Sequence, residues 1–124
     1  PKNRRFFDEV YVISEESDFK TAEICKRNNA IFIPYKDFGK NNAKFNFGGA
    51  RQKGIESLKH KEWIVFLDCD IIVNEDFRHL LSDKNKFYGS YRRFIPTLNK
   101  YNDVKDDKFN EFEPVEGSGC GFFQ

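Results

Sequence analysis

The run Trp63-Ile64-Val65-Phe66-Leu67, five apolar residues without alternation, leads straight into Asp68-Cys69-Asp70. No other segment limits the fold as tightly. A strand with no polar face reads as buried on both sides, as in the middle of a parallel sheet. Parallel neighbours need crossover connections, so helices should lie between the strands. The preceding sequence supplies them. Val10-Tyr11-Val12-Ile13 reads as a first strand, and Asp18 as the N-cap of a helix over residues 19–28 that stops at Asn28-Asn29. Ile31-Phe32-Ile33 reads as a second strand, halted by Pro34. Helical spacing resumes at Ala50, with Ile55 and Leu58 on one face. Gly54 within it costs about 1 kcal/mol relative to Ala, and so marks close packing or the close approach of a ligand.

Beyond the triplet, a short helix is expected from Asn74 or Glu75 to Leu81, with strand pieces at 87–89 and 91–95. A long polar loop follows over 97–116, then a tight glycine turn at 117–121 before Phe122-Phe123. Strand and helix alternate over the first two-thirds, the pattern of an α/β layered domain. With 124 residues the chain suffices for one core, giving a single domain over 1–124.

Charge narrows the function. Lys plus Arg number 21 against 20 Asp plus Glu, a net charge of +1, whereas nucleic-acid binding needs a concentrated basic surface. No apolar stretch approaches the roughly 20 residues of a membrane span, and no signal-peptide core is visible. The three cysteines are odd in number and form no CxxC pair, which suits reduced thiols and a cytoplasmic setting. Trp63 reads as core, and Cys69 as a small apolar side chain turned inward.

Ten of the 124 residues are Asp, so chance alone yields about one Asp-x-Asp, and the spacing by itself is weak. Position strengthens it. Ligands of open α/β sheets bind beyond the carboxyl ends of the strands. Two carboxylates there suit a hard cation that keeps positions for phosphate oxygens. Two other readings stand beside this one. The aspartates can simply solvate the exit from a strand, or one can be a phosphatase-type nucleophile. The phosphatase pattern usually continues with Gly-Thr, whereas Ile71-Ile72 follows here.

Phe45-Asn46-Phe47-Gly48-Gly49-Ala50-Arg51-Gln52-Lys53-Gly54-Ile55, followed by the strand ending in Asp68-Cys69-Asp70, resembles the GT-A glycosyltransferases. In that superfamily a helix start of the "ARN-x-G" type precedes a strand ending in a DxD motif. Residues 87–93 and 121–124 look like elements of a galactosyltransferase-like or family 2-like branch. The resemblance implies a Rossmann-like layered domain with a mostly parallel central sheet flanked by helices. It also implies Mn²⁺ or Mg²⁺, a UDP- or GDP-sugar donor, and transfer to a hydroxyl of a glycan or small-molecule acceptor. Asp70 is then the principal metal ligand, and Asp68 contacts the ribose or the metal. Arg51 and Gln52 lie on the nucleotide side, with Gln52 where Asn is usual. Glu15, Glu16 and Asp18 are candidates for contacting the base, although Asp18 also fits a helix cap. The resemblance covers most of this chain and about half of a typical catalytic domain, which implies a truncated domain, incomplete at both ends. Its alternatives are a non-catalytic nucleotide-binding remnant and a nucleotidyltransferase.

Lys40, Lys44 and the Arg92-Arg93 pair are further candidates for anion contacts, and Glu116 for a general base. His60 and His79 sit at a helix end and in a surface helix, and neither reads as a ligand.

Overall fold

The strand expected over Val10 to Ile13 is present but displaced towards the C-terminus: β1 spans Tyr11–Glu15, without Val10, and pairs in parallel with β2, Ile31–Tyr35. The computed structural model describes residues 2–40, 44–59, 63–73, 76–86, 88–89, 92–103, 112, 114–115 and 120–123. They show a mixed α/β chain whose parallel sheet has two strands. Two compact units divide it, residues 1–59 and 60–124.

In the first unit, α1 (Phe19–Arg27) is the crossover between β1 and β2. Its start and stop both follow from local chemistry. The Asp18 carboxylate accepts from the Thr21 backbone N–H at 3.0 Å and from the Ser14 hydroxyl at 2.8 Å. At the other end the Asn29 N–H donates to the Lys26 carbonyl and the Ala30 N–H to the Cys25 carbonyl, a Schellman closure. Asn29 takes the left-handed conformation this closure needs, with φ at 52°. Arg4 adds a tie from the N-terminal segment, donating to the Asn29, Phe7 and Asp8 carbonyls.

The bonds from Thr21, through its side chain and its backbone N–H, together with the Ser14 hydroxyl, hold the Asp18 carboxyl below its ordinary range. A depressed folded-state pKa stabilises the fold above the unfolded value, about 3.9, and that contribution is lost as pH falls through the lower folded value. Asp18→Ala should therefore lower the thermal midpoint at pH 7. The gap from the parent should narrow as both are titrated below about pH 4. An undiminished gap at low pH would show that the carboxylate is not the origin.

Pro34 does not halt β2, which runs on to Tyr35. The reason is orientation. The Ile31 N–H donates to the Val10 carbonyl at 2.8 Å, so alternate positions from Ile31 face β1. Pro34 falls on the other set, and its nitrogen points away from the ladder, where no donor is needed.

The next helix, α2, spans Phe47–Ser57, starting three residues before the expected Ala50 because Asn46 caps it. Its buried positions are Ala50 and Gly54, whereas Ile55 is exposed. The expected apolar face of Ile55 and Leu58 is thus replaced by a face of small residues packed on β1 and β2. A Cβ at Gly54 would lie 3.1 Å from Ile13 Cδ1, so close packing explains this glycine. Gly48 differs: a Cβ there meets nothing within 4 Å. Gly48→Ala should stabilise the unit by up to about 1 kcal/mol through helix propensity alone. A denaturant midpoint that falls would reveal an unseen constraint. Phe6, Cys25 and Phe38 are the other buried apolar residues, and burial pushes the Cys25 thiol pKa up.

In the second unit the run from Trp63 contains β3, Ile64–Leu67. Its environment differs from the expectation. Among the described residues β3 pairs on one side only, antiparallel, with β7 (Cys120–Phe123), and its residues are half-buried. β7 lies between β3 and β4 (Tyr88–Gly89). A separate antiparallel pair joins β5 (Arg92–Arg93) to β6 (Pro114–Val115). Trp63 is half-buried, edge-on to Tyr88 at 5.7 Å between ring centroids. The expected loop over 97–116 contains a helix, α3, at Leu98–Asp103. The Thr97 hydroxyl accepts from the Lys100 N–H at 3.2 Å and caps it. The expected helix after the triplet is reduced to a 3-10 turn, Arg78–Leu80, while Asn74 and Glu75 lie outside the described residues. Cys120 and Gly121, assigned to the glycine turn, belong to β7; residues 117–119 lie outside the described residues. No helix among the described residues is long and apolar enough to cross a membrane.

Candidate functional site

The first unit gathers its candidates at the carboxyl edge of the parallel pair. Glu15 ends β1 beside Tyr35, which ends β2, and Glu15 is exposed. Asn46 brings the start of α2 to the same edge. Its side-chain oxygen accepts from the Gly49 N–H at 3.0 Å, and its amide donates to the Tyr35 hydroxyl at 3.0 Å and to the Asp37 carbonyl at 3.2 Å. Phe38, Phe45 and Phe47 form an aromatic ladder there, with successive centroids 4.8 and 6.0 Å apart. The Arg51 guanidinium lies 4.0 Å from the Phe47 ring centroid, a cation–π contact that directs it back towards the first turn.

Gln52 turns along the exposed face of α2, where its amide donates to Glu56 at 3.0 Å. Asp18 is the helix cap described above, and Glu16 is exposed in the turn before it. Lys40 pairs with Asp37 at 3.7 Å, and Lys44 is exposed. Glu15, Arg51 and Asn46 therefore share one edge, while Gln52 is engaged elsewhere on its helix. Asn46 and Tyr35 escaped the sequence reading. The Asn three residues before Gly49 was a readable cap signal, but the Tyr35 contact depends on the strand passing through Pro34.

The second unit carries the aspartates. β3 ends at Leu67, and Asp68-Cys69-Asp70-Ile71 forms a turn closed by the Ile71 N–H donating to the Asp68 carbonyl at 3.1 Å. Asp68 is half-buried and Asp70 exposed. Cys69 is exposed too, which corrects the inward orientation expected of it: it lies in a turn rather than on a strand face. Among the described residues the two carboxylates have no partner, as is also true of Glu15 and Glu16, whereas several other aspartates do. Asp18 caps a helix, Asp37 pairs with Lys40, and Asp83 pairs with Lys86 at 3.4 Å. Asp76 is clasped by Arg78, which holds its pKa at about 2. Among the described residues no hydrogen bond or ion pair engages the Asp68 or Asp70 side chain.

Two oxygen-donor side chains on one exposed turn fit a hard cation that takes its remaining ligands from phosphate and water. Among the described residues no group of three or more His, Cys, Asp or Glu side chains comes together to hold a metal alone. Arg93 donates to the Phe112 carbonyl at 3.2 Å, so that guanidinium braces the β5–β6 region. His79 is exposed in the 3-10 turn; His60, Glu116 and the Arg92 side chain lie outside what the structure describes. Comparison with protein-family models, with curated proteins and with solved structures gives no match to the chain.

Proposed function

We propose that the chain is the donor-binding part of a metal-dependent, GT-A-like glycosyltransferase that moves a sugar from a UDP- or GDP-sugar to an acceptor hydroxyl. The observation that carries this reading is the unpartnered Asp68 and Asp70 pair on the turn that ends β3. The two carboxylates stand two residues apart on one turn, and no cation among the described residues answers them. Asp70, the more exposed, is the principal ligand for Mn²⁺ or Mg²⁺, and Asp68 binds the same ion or the ribose. When bound, the ion supplies Lewis-acid neutralisation of charge on the departing nucleoside diphosphate. In the first unit, taken by itself, Glu15 and Arg51 are the residues that the resemblance assigns to a nucleotide, Arg51 through a guanidinium whose planar geometry suits phosphate. The exposed Gln52 lies beside Arg51 on α2, and its amide must leave Glu56 to contact a nucleotide.

Calorimetric titration of UDP and GDP into the chain tests this, once with Mn²⁺ and once with EDTA. Binding of at least one nucleotide is expected with the metal and should be largely lost with the chelator. Equal affinity in both conditions would reject a metal-dependent donor site.

A further inference from the structure

We propose that the carboxyl edge of the first unit is a docking surface for single-stranded nucleic acid, on which Phe45 and Phe47 stack with unpaired bases and neighbouring lysines meet the phosphates. Phe45 is 57% exposed and Phe47 44%, although both are large apolar side chains. Neither ring is loosely placed. Phe38 is buried, and the Phe45 ring lies stacked on it, 24° from parallel with 4.8 Å between centroids. Tyr35 meets the same Phe38 ring edge-on at 5.0 Å, and Phe47 continues the series 6.0 Å beyond Phe45. Between the two exposed rings, the Asn46 N–H donates to the Phe38 carbonyl at 2.6 Å and ties their backbone to the same support. The accessible rings therefore stand on a packed base, which is what offset stacking with a further flat group requires.

Charge selects the occupant. The whole chain is nearly balanced, yet residues 36–51 hold four basic side chains, Lys36, Lys40, Lys44 and Arg51, against the single acid Asp37. Asp37 is answered by Lys40 at 3.7 Å. Lys36 and Lys44 are exposed, and Lys44 directly precedes Phe45. Glu15 adds one exposed acid to this edge and leaves its balance positive. Exposed rings interleaved with cations suit an anion that carries flat π faces, and a single strand is such an anion. A duplex keeps those faces in its own stack. A lone nucleotide has one base, whereas two accessible rings in succession serve two bases of a strand. A lipid surface would also meet cations and apolar side chains, but it gains nothing from a ring held flat on a buried partner. The surface lies wholly within the first unit, and the inference does not depend on the metal-binding reading of Asp68 and Asp70.

The test is fluorescence anisotropy of a short labelled oligouridylate titrated with the full chain in EDTA, at several salt concentrations. Binding that weakens steadily with salt is expected. Phe45→Leu keeps the apolar bulk and removes the ring, and should weaken binding by about tenfold. Lys44→Gln should weaken it less and make the log–log salt slope shallower by about 0.7. If Phe45→Leu does not fold, Phe47→Leu decides by the same criterion. An oligomer that does not bind, or that binds the leucine variant as tightly as the parent, would overturn the proposal. So would competition by duplex RNA or by uridine monophosphate as strong as that of the unlabelled strand. Co-sedimentation with phosphatidylserine vesicles in place of oligomer binding would give the surface to a membrane. Loss of oligomer binding in Asp70→Asn would likewise overturn it, by moving the strand to the aspartates. Because EDTA removes the metal, a negative result here leaves metal-dependent binding of UDP or GDP standing, and failure of that binding leaves this proposal standing.

Discussion

Gly49→Ala is expected to destabilise the first unit by about 1–3 kcal/mol, although Ala is the better helix former. Helix propensity favours the change by up to about 1 kcal/mol. Against it stands a methyl group placed on the Tyr35 hydroxyl and against the Asn46 side chain. To make room, Tyr35 and Asn46 must part, which loses the bond between them and disturbs the cap on the Gly49 N–H. A lost N-cap alone costs about 1 kcal/mol, and forced repacking adds about 1–3. The unfavourable terms win. For a unit of 59 residues the whole folding free energy is about 3–9 kcal/mol, so the loss is a large share. Hydrogen exchange of the α2 amides would read it locally. The cost should shrink in a Tyr35→Phe background, where the displaced hydroxyl is absent. A Gly49→Ala chain as stable as its parent would mean that the contact is not close in solution. The contrast with Gly48→Ala, expected to stabilise, separates steric demand from propensity on adjacent positions of one helix.

The first unit was legible wherever the signal is local. Asp18 as a cap, Asn28-Asn29 as a stop, and the two flanking strands follow from side chains that bond to backbone within a few residues. Pro34 was misread because its effect depends on which way its nitrogen faces, and this is set by register with β1 rather than by the residue itself. The start of α2 was placed late because Phe47 and two glycines hide a helix that Asn46 caps. Its buried face was misassigned because large apolar residues draw attention, whereas the contact with Ile13 is made by Gly54. The second unit was harder. An unalternating apolar run fixes a strand but not its partners, and β7 comes from a segment more than fifty residues away, rich in glycine and phenylalanine. α3 was readable from Thr97 and was lost under the polar character of its surroundings.

The candidate site divides in the same way. Asp68 and Asp70 could be placed beyond a strand from sequence, since an acidic pair rarely continues an apolar run. That they have no local partner could not. Each of Asp37, Asp76 and Asp83 has a basic residue two or three positions on, whereas Asp70 is followed by Ile71-Ile72-Val73. The spacing could be read in the sequence, whereas the lack of a partner among the described residues is seen only with the side chains in place.

On the proposed reading, Asp70→Asn should remove metal-dependent nucleotide binding while leaving the fold intact. Asparagine keeps the size and one carbonyl oxygen but not the charge, so a hard cation loses an anionic ligand. Loss of a mere outer-shell partner costs roughly 10–100-fold in metal affinity, and loss of a direct ligand should cost more. Stability should hardly respond. The turn is closed by backbone, Ile71 N–H to Asp68 carbonyl, and no described group depends on the Asp70 carboxylate. Surface substitutions of this kind stay within about 0.5 kcal/mol. Removing one of two neighbouring, unneutralised carboxylates also relieves their repulsion, so any small shift should favour the fold. Nucleotide titrations with Mn²⁺ and a thermal melt on the same samples separate the two effects. A variant that binds as its parent does would exclude Asp70 as a ligand. A variant that loses binding and stability together would return the aspartates to the plain role of finishing a strand. Only the combination of lost affinity and undiminished stability fits a carboxylate kept for a ligand, because no fold-supporting role predicts it.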